Sequence, residues 1–186
     1  MSYGMLWLPI IVSTVAVFVL SSILHMVLKH HKYDYKGLSG EDAVRAVVRK
    51  TGPAPGVYMV PYCPDHSRMK DPEVLKKWND GPVALVTIMR NGAPAMGKYL
   101  AQWLALCLFI GFTAAYVARH ALSPTSDGLT VMRITGTVAF VGYGFGYFQD
   151  SIWKGIPWSN SLRGIADAAV YAVATGLVFR LLLPGA

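Results

Sequence analysis

Residues 5–28 read MLWLPIIVSTVAVFVLSSILHMVL, and the reading of this stretch decides the fold. It holds no Asp, Glu, Lys or Arg, and neither do the four residues before it. At 1.5 Å of rise per residue a helix over it covers about 36 Å, enough to cross a hydrocarbon core of roughly 30 Å with some tilt. Its apolar residues neither alternate nor keep to one helical face, so neither a half-buried strand nor an amphipathic surface helix accounts for it. A cleaved signal peptide would need a basic start and a small-residue cleavage site. The start MSYGMLW has no basic side chain, and VLSSILHMVLKHH offers no convincing site, so an uncleaved anchor helix is expected.

Three further apolar runs follow, at about 99–118, 129–149 and 164–183. Arg133 lies near the start of the third, and Asp167 and Arg180 near the two ends of the fourth, within snorkelling reach of an interface. Trp7, Trp103, Trp153 and Trp158 fall near run ends, as interfacial aromatics do. Hydrophobic residues make up 54% of the 186, and the mean hydropathy is +0.41, too apolar for an ordinary soluble domain. The expected fold is mostly α: an antiparallel four-helix transmembrane bundle with a small α+β insertion between helices 1 and 2. Its expected parts are helix 1 at 1–28, the insertion at 29–97, and helices 2–4 within 98–186.

The formal net charge is +7. In an apolar chain this implies anionic headgroups as the partner rather than nucleic acid. Most Lys and Arg fall between Lys29 and Arg90, whereas the 119–128 connection holds only Arg119. The positive-inside rule then places 29–97 in the cytoplasm with both termini outside. The vote rests mainly on Lys29, Lys32, Lys36, Arg90 and Lys98, because long loops weigh little in that rule.

Within the insertion, Ser39-Gly40-Glu41-Asp42 resembles a capping-box start for a helix that Gly52-Pro53 ends. Short strands are expected at 56–59 and 83–89, and Asp71-Pro72-Glu73 starts a second short helix. The stretches APAMGKYLAQW (93–103) and QDSIWKGIPWS (149–159), on this four-run layout, resemble a group of small bacterial four-span membrane proteins to which no activity is attached. That resemblance implies the layout and assigns no functional residue.

Four groups of residues carry chemistry. Cys63, His66 and Met69 stand as C-x-x-H-x-x-M, three of the ligand types of a blue-copper site, and the spacing is similar to the amicyanin-type copper loop. Such a site needs a β-sandwich and an oxidising compartment, and an ordinary polar loop explains Pro64, Asp65, Ser67 and Arg68 equally well. His25, His30 and His31 form a second group. Adjacent histidines diverge on a helix, so the pair makes a poor bidentate site and a headgroup-facing helix end is expected. Gly136, Gly142 and Gly146 are expected to pack a neighbouring helix; the Val-Gly-Tyr-Gly within them is similar to a potassium-channel filter but lies inside a full span. The last group is a polar cluster at one set of helix ends: His25, Gln102, Gln149, Asp150, Arg163 and Asp167. Arg163 and Asp167 are i,i+4 and should pair, and Asp150 could join Lys154 or reach Arg163.

Cys63 and Cys107 lie in unlike surroundings and are not expected to bond. No nucleophile–base pattern, phosphate loop or paired C-x-x-C is present. A non-enzymatic scaffold or accessory subunit of a membrane complex is therefore expected, with no cofactor, and with the bilayer and a second copy or another membrane protein as partners. The alternatives are a small transporter, channel or lipid-binding protein using the polar cluster, and metal binding at Cys63, His66 and Met69.

Overall fold

The computed structural model describes residues 3–123 and 125–183, apart from the side chains of Tyr3 and His66. The chain is mostly helical and divides into two units. One comprises the residues up to Tyr35 together with those from Ala95 onward, and the other is Lys36–Pro94. Residues 29–35 thus belong with the long helices rather than with the insertion, a shift from its expected start at 29.

In the first unit, α1 is Trp7–Ser22 and runs on into a π-helical turn, Ile23–Val27. In the second unit, α2 is Glu41–Thr51, β1 Gly56–Val60, α3 Pro72–Asp80 and β2 Ala84–Ile88. The first unit resumes with α4 Met96–Ala121, α5 Gly128–Lys154 and α6 Trp158–Leu182. Helices Trp7–Val27, Met96–Ala121 and Trp158–Leu182 are long and apolar enough to cross a membrane. α5 is as long, at 27 residues, but it carries Arg133, Asp150 and an alternation of glycine with aromatics, and it is not among them.

The first unit has an apolar core that includes Ile10, Val17, Val131 and Phe179, with small hydroxyl side chains set into it and many large apolar residues left on its outside. Ser13, Thr14, Thr135 and Thr175 are buried, while Leu8, Ile11, Phe109 and Leu181 face outward. The inward hydroxyls satisfy themselves on their own helices: Thr14 donates to the Ile10 carbonyl at 2.8 Å and Thr135 to that of Val131 at 2.8 Å. Small inward residues let helices approach closely without a hydrophobic drive between them. α5 packs on α6 and α4, and α1 touches both α4 and α6. At the α5–α6 crossing, a Cβ on Gly176 would come 2.8 Å from the Met132 carbonyl oxygen, and one on Gly136 3.2 Å from that of Ala172. Of the three glycines expected to pack a neighbouring helix, two do so, on different helices. Gly136 meets α6, Gly142 meets Ile110 of α4, and Gly146 faces open space. Six helical residues turn about 600°, which leaves Gly136 and Gly142 some 120° apart.

The second unit pairs β1 and β2 antiparallel, with Tyr58 opposite Val86. α3 begins as its sequence requires: Asp71 accepts from the Glu73 amide at 3.0 Å, with Pro72 in the first turn. α2 differs from the expected capping box. Gly40 takes the N-cap position in a left-handed conformation and no side chain caps the helix. None of the described side chains of this unit is buried.

Candidate functional site

The last turns of the first apolar helix do not continue as an α-helix, and this builds the site. Ser21 and Ser22 both donate to the Phe18 carbonyl, at 2.8 and 3.0 Å, and the His25 ring sits 3.0 Å from the Ser21 carbonyl through Nδ1. Side chains competing for those carbonyls loosen the i→i−4 ladder. The helix widens until the Leu28 amide bonds to Ile23, five residues back. Lys29 then takes a left-handed conformation, φ 52°, alone among the described non-glycine residues. The chain folds back as a 3₁₀ turn, His30–Tyr33.

That reversal carries two imidazoles to one carboxylate. His30 Nε2 lies 2.9 Å from Oδ1 of Asp167 and His31 Nε2 2.8 Å from Oδ2, while His25 Nδ1 is 3.9 Å from Oδ2. Asp167 is buried, and it stands nine residues into α6, about 14 Å along the helix from its start. A carboxylate at that depth needs partners. The rings are layered as well: His25 and His31 stack at 4.4 Å between centroids with 10° between planes. One donor atom each from His25, His31 and Asp167 lies within 4.8 Å of the others, a grouping able to hold a metal ion.

A second layer fixes the first. The other nitrogen of His31, Nδ1, is 2.5 Å from Asp34 Oδ2. Arg163 holds Asp34 Oδ1 through Nε at 2.8 Å and Nη2 at 2.6 Å. Asn160 donates to the Asp34 carbonyl at 3.0 Å and accepts from Arg163 at 2.8 Å. Burial opposes charge on His31, but the hydrogen bonds and charges of Asp167 and Asp34 outweigh it and hold its pKa above the ordinary 6.5. Burial likewise opposes charge on Asp34, yet His31 and Arg163 hold it below the ordinary 3.8. An open cavity of about 350 Å³ adjoins the cluster, lined among others by His25, His31, Asp34, Tyr147 and Asp150. On the apolar side Trp103 donates to Ser21 Oγ at 2.9 Å and packs with Tyr143 and Tyr171.

The expected cluster is therefore rearranged. His25, Arg163 and Asp167 come together, but Arg163 pairs with Asp34 rather than with Asp167 one turn away, and His30 and His31 take the two Asp167 oxygens. Asp150 lines the cavity and pairs with its own-helix neighbour Lys154 at 2.6 Å. Gln102 and Gln149 are exposed. The histidine pair, expected to diverge, converges because it is not on an α-helix. Of the other proposed ligands, the Cys63 thiol donates to the Asp65 carbonyl at 3.1 Å, Met69 is exposed, and the His66 side chain lies outside the described residues. The residues missed as ligands of the cluster were His30, His31 and Asp34. The available signal was the carboxylate at 167, which demanded counter-groups from another helix end.

Three helices long and apolar enough to cross a membrane, with a histidine–carboxylate cluster among their residues and the turn after the first, are consistent with one class: a helical membrane protein with a polar site. Compared with protein-family models, curated proteins and solved structures, the chain matches none.

Proposed function

We propose that the chain is a four-span protein of a bacterial inner membrane whose working part is a cation-binding pocket at one end of the bundle, centred on Asp167. Four spans are supported by the connections of α5. Only 122–127 separate it from α4 and 155–157 from α6, and it packs along both. If its neighbours cross the bilayer, α5 returns through it. On the charge argument the pocket and residues 29–97 face the cytoplasm.

The observation that carries the functional reading is a buried carboxylate met by two imidazoles, with a third 3.9 Å away, beside an open cavity. A group built only to anchor helix ends would be satisfied by Arg163 one turn away; here Asp167 is left to the histidines and Arg163 to Asp34. Histidines around a carboxylate exchange protons and bind cations near neutral pH, which favours the small transporter or channel reading. The test is thermal unfolding of the full chain in lipid nanodiscs across pH and added mono- and divalent cations, for the parent and Asp167→Asn. The parent Tm should respond to pH or cations, and the response should be lost in the variant. Equal responses in both end the reading.

The scaffold reading retains one observation. Gly146, with open space beside it on α5, leaves room for a helix of a second copy or another membrane protein. Native mass spectrometry across mild detergents tests it; a monomer in all of them counts against it.

A further inference from the structure

Resting on the cation-pocket reading, we infer that the cation is a divalent first-row transition metal, held by one imidazole nitrogen each of His25 and His31 and one carboxylate oxygen of Asp167. The three donors already lie within 4.8 Å of one another. Tetrahedral ligands at 2.0–2.1 Å from zinc stand about 3.3–3.5 Å apart, so the site must close by no more than about 1.5 Å. His31 Nε2 and Asp167 Oδ2 face each other at 2.8 Å. A proton now joins two atoms that a metal would bridge.

The surrounding bonds are those of a ligand set with its outer partners in place. The far nitrogen of His31 is held by the Asp34 carboxylate, itself clamped by Arg163. His25 Nδ1 meets the Ser21 carbonyl. A carbonyl oxygen only accepts, so Nδ1 carries the proton and Nε2 is the nitrogen left to bind; the ring, stacked on His31 at 4.4 Å, must turn to present it. His30 bonds to Oδ1, the other Asp167 oxygen, and so fixes the orientation of the carboxylate. His25 and His31 line the open cavity that Tyr147 and Asp150 also line, from which water would complete the shell. Two imidazoles with a carboxylate suit zinc, cobalt, manganese or iron(II) and disfavour calcium and magnesium, which demand oxygen ligands. The inference departs from the expectation of a chain without a cofactor, and it moves the metal from Cys63, His66 and Met69 to a different unit of the protein.

The test uses the full chain in nanodiscs, stripped with chelator and titrated at neutral pH with Zn²⁺ by calorimetry and with Co²⁺ by its visible absorption. One ion per chain should bind, at least about a hundredfold tighter than Mg²⁺ or Ca²⁺. Affinity should fall more than about tenfold in His25→Ala, whose half-exposed side chain can be removed without unfolding the bundle, and about 10–100-fold in Asp34→Asn. Cys63→Ser should bind as the parent does. Less than one ion per chain, or undiminished binding in His25→Ala, overturns the inference. If Zn²⁺ and Co²⁺ fail while a pH or Na⁺ response sensitive to Asp167→Asn persists, the metal falls and the cation pocket stands. If no cation or pH change shifts the parent at all, both fall.

Discussion

The Asp167 cluster and the 62–69 loop carry similar metal-capable side chains, and they are built in opposite ways. The loop's candidates lie within seven positions of each other, in a unit where no described side chain is buried. Cys63 turns to its own loop's carbonyl, and Asp65 accepts from the Ser67 amide at 2.9 Å, so the segment satisfies itself locally. The Asp167 cluster draws on residues more than 130 positions apart and seats them around a buried charge. Spacing alone made the loop conspicuous. Desolvation makes the cluster consequential, because a buried carboxylate and its partners cannot fall back on water.

The widest gap between the two regions should appear on removing the carboxylate. Asp167→Ala leaves His30 and His31 facing an empty acceptor site in a mostly buried place, and should lower stability by about 3 kcal/mol. Reversible unfolding in mixed micelles measures it. A loss under about 1 kcal/mol would put the cluster on the same footing as an exposed loop.

The pH dependence of the metal-free protein sharpens the contrast next. His31 has a raised folded pKa, so its contribution is complete below 6.5 and is lost as pH rises through the folded value. Asp34 has a lowered folded pKa, so its contribution is present above 3.8 and is lost as pH falls through the folded value. These two groups together favour a stability maximum in mildly acidic solution and a decline toward alkaline pH. His31→Gln should remove the alkaline decline. A Tm profile that is flat from acid to alkaline pH, or unchanged by His31→Gln, would contradict the coupling.

Arg163→Lys probes the outer layer and should cost about 1–1.5 kcal/mol. An ammonium keeps the charge but cannot hold Asp34 through two nitrogens while also donating to Asn160. The same variant should weaken binding at Asp167 only indirectly, through a less firmly held His31.

How far each region could be read from the sequence follows from the same distinction. The apolar run at 5–28, the Pro-started helix at 72 and the strand at 84–88 are each specified by neighbours in sequence, and each forms close to where local signals put it. Asp167 was legible as a charge out of place. Its partners were not, because their convergence depends on a π-helical turn caused by Ser21, Ser22 and His25 bonding to carbonyls, and then on a left-handed Lys29. Periodicity assumes an unbroken helix, and on an unbroken helix His30 and His31 do diverge. The choice of Arg163 between Asp34 and Asp167 was equally out of reach. Asp34 reaches Arg163 only through the same backbone reversal, which no local signal announces.

The smallest effect belongs to the loop. Cys63→Ser replaces one weak donor by a better one at a partly exposed position, where the thiol does no more than bond to the Asp65 carbonyl at 3.1 Å. Stability should change by less than about 0.5 kcal/mol, and the pH and metal responses of the chain should not change at all. That indifference also makes the thiol a clean reporter. The second cysteine, Cys107, is buried among the helices, so a membrane-impermeant maleimide should label Cys63 alone. Labelling in inverted vesicles and not in intact cells would support a cytoplasmic 29–97. Labelling from outside would reverse the orientation and carry the mouth of the Asp167 cavity with it, since His31 and Asp34 stand just before the insertion on the same side of the first span.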